Sequence, residues 1–186
     1  MTPRLRRLQS DYERLTMGLA GHPRITLQPI GPTPPERYRF VYRVRGMHQQ
    51  ADGGLRFADQ HAVEIALVGG YPREKPYCTS LSPVFHPNFG NYVCIADFWS
   101  PGQTLLDVVI QIGDMLQYKL YNTSSPLNAV AARWAVENIA MLPLDRAELL
   151  PLDPEVRLGA VRTPPAAALL PPLPATADLS FGARHV

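Results

Sequence analysis

The sequence contains no apolar run that approaches the roughly 20 residues needed to cross a bilayer as a helix. A membrane-spanning role is therefore not expected, and no membrane partner is predicted. Residues 1–7 carry basic side chains, but no apolar segment or small-residue cleavage site follows them, so they do not have the pattern of a secretory signal. These two absences predict a cytoplasmic protein.

Cysteine is scarce as well, with only Cys78 and Cys94 in 186 residues. A structural zinc site normally needs four cysteine or histidine ligands, so no metal site is predicted, and no cofactor is predicted either. A cytosolic chain that is long enough for a full hydrophobic core seldom depends on a disulfide. Each cysteine is therefore expected to be either a small buried side chain or a reactive thiol.

The sequence also has little net charge, a formal +2 from 18 Lys and Arg against 16 Asp and Glu. So small a charge gives no argument for a nucleic-acid partner. Positive charge is nevertheless concentrated near one end of the chain, in Arg4, Arg6 and Arg7. Such a local patch favours contact with another protein.

Two hydrophobic periodicities organise the first half of the chain. Period-two alternation predicts strands at residues 37–45 and 63–67, and apolar runs bounded by turn residues predict strands at 25–30 and 77–84, which together are expected to form an antiparallel meander. Arg7, Asp11 and Arg14 are expected on the solvated side of an amphipathic first helix. The spacing of apolar residues between positions 4 and 20 gives this helix a predicted buried stripe of Leu5, Leu8, Tyr12, Leu15 and Leu19.

The second half predicts two further helices. Thr104 and Asp107 form a capping box for one of them. Its expected buried stripe is Leu105, Val108, Val109, Ile112 and Leu116. Ser125 and Pro126 are expected to open the other, because a capping residue followed by proline is typical of a helix start. The apolar stripe of that helix is expected to be Leu127, Val130, Ala131 and Trp134.

The expected fold class is α+β, with a four-stranded antiparallel meander packed on an N-terminal helix and C-terminal helices. The domain is expected to cover residues 1–145. Residues 146–186 are rich in Pro, Ala and Leu, a composition that favours extended backbone over a long helix, and are expected to form a tail.

The segment from residue 85 to residue 102 has little periodicity, and a loop of that length in a compact domain is usually functional. It contains His86-Pro87-Asn88, then Cys94, then Trp99-Ser100-Pro101, with Tyr71-Pro72 and Pro76 upstream. In this order, between a helix with four strands and two closing helices, these elements resemble the ubiquitin-conjugating enzymes. The resemblance covers residues 4–141.

The resemblance implies that Cys94 accepts a ubiquitin-like protein from an activating enzyme as a thioester and passes it to a lysine of a target protein. A cysteine in an exposed loop is the minimum requirement, because a thiolate must attack and later leave. By resemblance, Asn88 orders the loop or donates to the tetrahedral oxyanion. Ser125 stands where the family has Asp or Ser beside the cysteine. These three residues are the predicted catalytic group.

Further positions are predicted to support this group. The resemblance implies that His86 holds the loop by hydrogen bonds and that Asn122 matches another polar position of the family. Trp99 is expected to pack. The N-terminal arginines named above are either a docking surface for the activating enzyme, as the family's first helix implies, or a solvated helix face. Cys78 lies inside a predicted strand and is expected to be a small buried hydrophobe.

The sequence departs from the eukaryotic pattern in its spacing and in one tract. The Asn88–Cys94 and Cys94–Trp99 spacings are shorter, and residues 121–127 replace an Asp-rich tract. Such compact forms resemble bacterial conjugating enzymes from operons that also encode an activating enzyme, a ubiquitin-like protein and a deconjugating protease, which implies antiphage defence. Two alternatives stay open: a catalytically silent adaptor that binds a ubiquitin-like protein, and a cysteine hydrolase that uses Cys94 and His86.

Overall fold

A computed structural model describes residues 1–95, 99–145 and 147–150 of the chain. The protein is an α+β domain, as the periodicities predicted. No helix in the described ranges is long and apolar enough to cross a membrane. In chain order the elements are α1 (Pro3–Leu19), β1 (Ile25–Ile30), β2 (Arg37–Tyr42), β3 (Gly46–Gln49), β4 (Leu55–Ala58), β5 (His61–Ala66), β6 (Tyr77–Ser80), α2 (Leu105–Leu116), α3 (Ala129–Glu137) and a short 3₁₀ turn (Ile139–Met141).

The main sheet is antiparallel and has four strands in the order β1-β2-β5-β6. The alternation along β2 buries Tyr38, Phe40 and Tyr42 completely, so this strand forms the centre of the core. The predicted four-stranded antiparallel sheet is confirmed. Its last strand is shorter than predicted and ends at Ser80, because the chain turns away before Pro83, which has no N–H to give to a ladder.

A second sheet of two strands, β3 and β4, is absent from the sequence prediction. Each strand has four residues, too few for an alternation that stands out from its surroundings. Only the turn chemistry of Asp52, Gly53 and Gly54 indicated a reversal there. Met47 of β3 belongs to a second small core with Phe85, Tyr118, Ala131 and Ala135, which attaches α3 to this ribbon.

Helix α1 packs with a narrower stripe than the spacing predicted. Leu8, Leu15 and Leu19 are buried, but Leu5 is exposed. The expectation that Arg7 and Asp11 lie on the solvated side is wrong: Asp11 is only 2% exposed. Its carboxylate accepts hydrogen bonds from Arg7 on the same helix and from Tyr71 and Leu105 in distant parts of the chain.

Helix α2 follows the prediction closely. The Thr104 hydroxyl accepts from the backbone N–H of Asp107, and the Asp107 carboxylate accepts from the backbone N–H of Thr104, which completes the capping box. All five residues of the predicted stripe are buried. Local spacing was sufficient here because the cap and the stripe both lie within the helix.

Helix α3 begins later than predicted. Its N-cap is Asn128, whose side chain accepts from the N–H of Ala131, so the expected start at Ser125 and Pro126 is wrong. The backbone N–H groups of Leu127 and Asn128 both donate to the carbonyl of Pro87, 2.8 and 3.0 Å away, and hold the preceding residues outside the helix. The predicted stripe is also partly wrong. Leu127 and Val130 are exposed, and the buried residues are Ala131, Ala132 and Ala135.

The last described segment, residues 147–150, packs on the domain. Leu149 is 2% exposed and packs close to Gly113 of α2. A side chain at position 113 would collide with Leu149 and with the nearby ring of Tyr42. Just before it, the Asp145 carboxylate accepts from the backbone N–H of Arg45 at 3.2 Å. The packed chain therefore continues past the expected domain boundary at residue 145. The rest of the expected tail, residues 151–186, lies outside the described residues, as does residue 146.

We expect Leu149→Ala to lower the free energy of unfolding by about 3 kcal/mol, because it leaves a cavity beside α2. Leu150→Ala is the matched control, since Leu150 is 65% exposed and its truncation should change stability by less than about 0.5 kcal/mol. Urea unfolding of both variants measures the difference. Equal stabilities would contradict the docking of this segment on α2.

Candidate active site

Cys94 lies on a short loop that backbone hydrogen bonds hold at Cys94 itself and at the residue before it. Its N–H donates to the carbonyl of Asn88 at 2.9 Å, and the N–H of the preceding Val93 donates to the carbonyl of Cys78 in β6 at 2.8 Å. Phe89 and Val93 form an isolated antiparallel bridge within the loop. The result is a half-buried thiol on a loop that is tied to the edge of the main sheet.

Asn88 connects this loop to the segment before α3. Its side chain is largely buried, and Oδ1 accepts from the backbone N–H of Asn122 at 2.8 Å. Because the partner is an N–H, the oxygen must face it, which leaves the Nδ2 amide as the other half of the side chain. That amide makes no hydrogen bond to any residue that the structure describes. Asn88 therefore has a fixed orientation and two N–H donors that are not used within this part of the chain.

Asn122 extends the connection to Ser125. The Asn122 side-chain oxygen accepts from the backbone N–H groups of Ser124 and Ser125, at 2.8 and 3.3 Å. Such a side-chain turn holds the backbone in a non-helical conformation. Ser125 is exposed. The structure thus joins Cys94, Asn88, Asn122 and Ser125 in one continuous set of hydrogen bonds.

His86 is buried beneath this set. Its Nδ1 faces the N–H of Asn88 at 3.1 Å and must accept, so the ring proton is on Nε2, which donates to the carbonyl of Leu120 at 3.2 Å. Burial lowers the pKa of His86 to about 3. A neutral ring with both nitrogens engaged cannot take a proton from Cys94. The geometry gives His86 the role of holding the loop, and it removes the general base that a cysteine hydrolase would need.

Trp99 lies on the other side of the cysteine in the sequence. Its indole N–H donates to the carbonyl of Pro72 at 2.7 Å, and its ring lies 6.2 Å from the ring of Tyr71. The Trp99 ring also packs against the main core. The tryptophan therefore packs, as expected, and its own position is fixed on the Tyr71-Pro72 turn.

A buried carboxylate that sequence reasoning missed supports this turn. Oδ2 of Asp11 accepts from Nε of Arg7 at 2.6 Å and from the hydroxyl of Tyr71 at 2.5 Å, and Oδ1 accepts from the N–H of Leu105 at 3.3 Å. Burial, together with the hydrogen bond to Asp11, raises the pKa of Tyr71. The spacing of Arg7 and Asp11, four residues apart on a helix, was the available signal.

The three N-terminal arginines occupy different environments. Arg7 is partly buried and also donates to the carbonyls of Pro101 and Gln103, so it joins α1 to the turn before α2. Arg4 pairs with Glu36 at 2.7 Å. Arg6 is exposed. The structure therefore does not bring the three guanidinium groups together on one free surface, and Arg6 is the one that faces solvent most openly.

Cys78 contrasts with Cys94. It lies in β6 at 1% exposure and belongs to the main core. Burial raises its pKa to about 12, so it carries almost no thiolate near neutral pH. The expectation of a small buried hydrophobe is confirmed. Of the two thiols, Cys94 is the one with access to a reaction partner.

The fold and the site together define an α+β domain with one accessible thiol on a loop braced by asparagine side chains. No protein-family model matches the sequence, and no curated protein matches it. Among the described residues, no group of three or more His, Cys, Asp and Glu side chains is placed to hold a metal ion.

Proposed function

We propose that the protein is a ubiquitin-like-protein conjugating enzyme, a carrier that holds its cargo on Cys94. The observation that supports this most is the partly accessible thiol of Cys94, whose backbone N–H donates to the carbonyl of Asn88. The side-chain amide of the same Asn88 is oriented by the N–H of Asn122. Motif order supports it independently, because the His-Pro-Asn, Cys and Trp-Ser-Pro elements follow a four-stranded antiparallel sheet in this chain. The proposed setting, a bacterial antiphage operon, comes from the resemblance alone.

In the first step the Cys94 thiolate attacks the carbonyl carbon of a thioester carried by the activating enzyme. A bond from Cys94 Sγ to that carbon forms, the bond to the donor sulfur breaks, and the donor thiolate leaves. Exchange between two similar thioesters is close to thermoneutral, so the loop has only to present the sulfur. The half-buried position of Cys94 meets this need.

In the second step a target lysine attacks the same carbon. The C–N bond forms, the C–S bond breaks, Cys94 leaves as a thiolate and the amine loses a proton. Charge develops on the carbonyl oxygen, and the Nδ2 group of Asn88 is an oriented donor for it. The exposed Ser125 hydroxyl can orient the incoming amine but is a weak proton acceptor. His86 is engaged by Asn88 and Leu120, so the amine proton goes to solvent, to the target or to a ligase.

Docking of the activating enzyme is proposed on α1. The resemblance implies that the three N-terminal arginines make this contact, but the structure places them in different environments. The exposed Arg6 is available to a partner, whereas Arg7 reaches the carbonyls of Pro101 and Gln103 and therefore connects α1 with the chain that follows Trp99.

The direct test is to look for an activating enzyme and a ubiquitin-like protein among the neighbouring genes, and to incubate both products with this protein and ATP. We expect one adduct that a reducing thiol removes, because a thioester exchanges with free thiol and an amide does not. Neighbouring genes without an activating enzyme, or an adduct that survives the thiol, would contradict the proposal.

Asn88 provides a matched test of the second step. Asn88→Asp keeps an oxygen for the N–H of Asn122 but has no Nδ2 donor, so we expect lysine transfer from the loaded carrier to fall about 100-fold while thioester formation continues. Single-turnover discharge onto free lysine measures this rate. Asn88→Ala removes the acceptor too and should additionally lower stability by about 1–3 kcal/mol. Equal discharge by Asn88→Asp and the unmodified protein would remove Asn88 from the transition state.

A further inference from the structure

The cationic side chains of this protein are almost all arginines. Of the 18 Lys and Arg residues only Lys75 and Lys119 are lysines, so the other 16 are arginines. For solubility or ion pairing either side chain would serve. The two differ chemically in one respect that matters beside a thioester: a lysine can lose its proton and attack a carbonyl, whereas a guanidinium stays protonated and has no free electron pair to donate.

An amine on the carrier's own surface would compete with the target. A group that shares a molecule with the thioester reacts as an intramolecular nucleophile, at an effective concentration far above that of a separate protein. The product would be an amide on the carrier, which thiols do not reverse, and each such event would lose both cargo and carrier.

The cations near the candidate site follow this pattern. Arg133 on α3 is exposed and lines a surface hollow together with Thr123 and Pro126, which flank Ser125. Arg73 is exposed directly after Pro72, the residue that receives the indole N–H of Trp99. Both sides of the site therefore present a guanidinium group. One lysine, Lys75, lies two residues after Arg73, but it is engaged in an interaction of its own and is not a free amine.

Lys119 is the lysine nearest in sequence to the bracing asparagines, three positions before Asn122. Its ammonium group donates to the carbonyl of Ala147 and lies 3.8 Å from the carboxylate of Asp114. These two contacts restrain an amine that lies three residues before Asn122, the residue that orients Asn88.

We propose that the exposed cations around this site are arginines because lysines there would accept the acyl group from Cys94. With few reactive amines on the carrier itself, the acyl group is transferred to an amine on a second molecule. The inference rests on the proposed function. It adds a property of the same site: the acceptor is selected partly because the carrier has few lysines, and both of them are engaged in other contacts.

The test uses the full chain and a small acyl donor, the 2-mercaptoethanesulfonate thioester of acetylglycine. Cys94 displaces mercaptoethanesulfonate and becomes the thioester; an amine in reach then attacks the carbonyl, forms an amide and releases the Cys94 thiolate. Hydroxylamine afterwards removes thioesters and leaves amides, which peptide mass spectrometry locates. The same reaction on Cys94→Ala measures direct acylation by the donor, and this background is subtracted.

Two variants that preserve charge make the comparison. Arg133→Lys places an amine beside the site, and Arg14→Lys places one on the exposed side of α1 as the control. We expect Cys94-dependent amide at position 133 at least about tenfold above that at position 14, and above that at Lys75 or Lys119 in the unmodified protein, because only an amine in reach benefits from proximity. Thermal unfolding checks that both variants fold.

The outcomes separate the two proposals. If Cys94 loads and position 133 gains no more amide than position 14, or if the unmodified protein acylates its own lysines to the same extent, the inference on arginine is overturned and the proposed function stands. If Cys94 does not load, the proposed function fails and this inference fails with it.

Discussion

Replacing Cys94 with alanine is expected to abolish the adduct with the ubiquitin-like protein completely, whereas Cys78→Ala should form it at the level of the unmodified protein. The two thiols differ by burial, which raises the pKa of Cys78 to about 12 and encloses its sulfur in the core, while Cys94 is partly accessible. Gel electrophoresis without reducing agent measures the adduct. Persistence of the adduct in Cys94→Ala would reject the assignment of the carrier residue.

Cys94→Ser refines this experiment. A serine oxygen can form an ester in the same place, and an ester does not exchange readily with added thiol. We therefore expect a weaker adduct that resists reducing agents, in contrast to the thiol-sensitive adduct of the unmodified protein. A thiol-sensitive adduct on Cys94→Ser would show that the bond lies on another sulfur.

The silent adaptor is the alternative that these variants also test. It is favoured by one observation: in the part of the chain that the structure describes, no carboxylate bonds to Cys94, Asn88 or Ser125, so this part of the site offers no strong acceptor for the amine's proton. An adaptor would bind the ubiquitin-like protein in a pull-down and give no adduct with either cysteine variant or with the unmodified protein.

Mild acid is expected to unfold the protein, because three buried histidines must gain protons. Burial lowers the pKa of His86 to about 3, of His61 to about 3 and of His48 to about 4, all below the ordinary value near 6.5. The unfolded chain thus binds more protons than the folded chain below about pH 6.5, so the free energy of unfolding falls as pH falls, down to about pH 3–4.

The geometry explains why these rings stay neutral. Nε2 of His61 must donate to the carbonyl of Val44, 3.1 Å away, so its Nδ1 accepts from Nε2 of His48 at 2.9 Å. A proton on Nδ1 of His61 would set two N–H groups against each other. Arg56 adds a nearby positive charge that further lowers the pKa of His48.

Three such groups give a slope of about 4 kcal/mol per pH unit near pH 5, since each proton contributes about 1.4 kcal/mol per unit. Urea unfolding at a series of pH values measures this slope. His48→Gln is the matched variant, because its amide can still donate to His61 without titrating, and it should reduce the slope by about 1.4 kcal/mol per unit. An unchanged slope would mean that His48 is not one of the groups that gain protons.

Several features of the fold could be predicted because their causes lie within a few residues. The capping box of Thr104 and Asp107 and the buried stripe of α2 lie within one helix. The alternation that makes β2 a strand is likewise local. The start of α3 could not be predicted in this way, since Pro87, far away in sequence, accepts the N–H groups that a helix beginning at Ser125 would have used.

The candidate site shows the same division. Motif order drew attention to Cys94 and Asn88, but it did not reveal that the oxygen of Asn88 is occupied by Asn122, which leaves the amide N–H groups as its remaining donors. Nor did it reveal the carboxylate of Asp11, whose partners Tyr71 and Leu105 come from two other parts of the chain.

The sequence by itself determined the α+β class, the four strands of the main sheet, the second helix with its cap and the scarcity of lysine, since each of these is a matter of short-range spacing or of composition. Only the tertiary structure decided where α3 begins, which ring nitrogen of His86 carries the proton and which polar groups hold the loop of Cys94. Those properties depend on burial and on hydrogen bonds between residues that are far apart along the chain, and such contacts exist only once the core has formed.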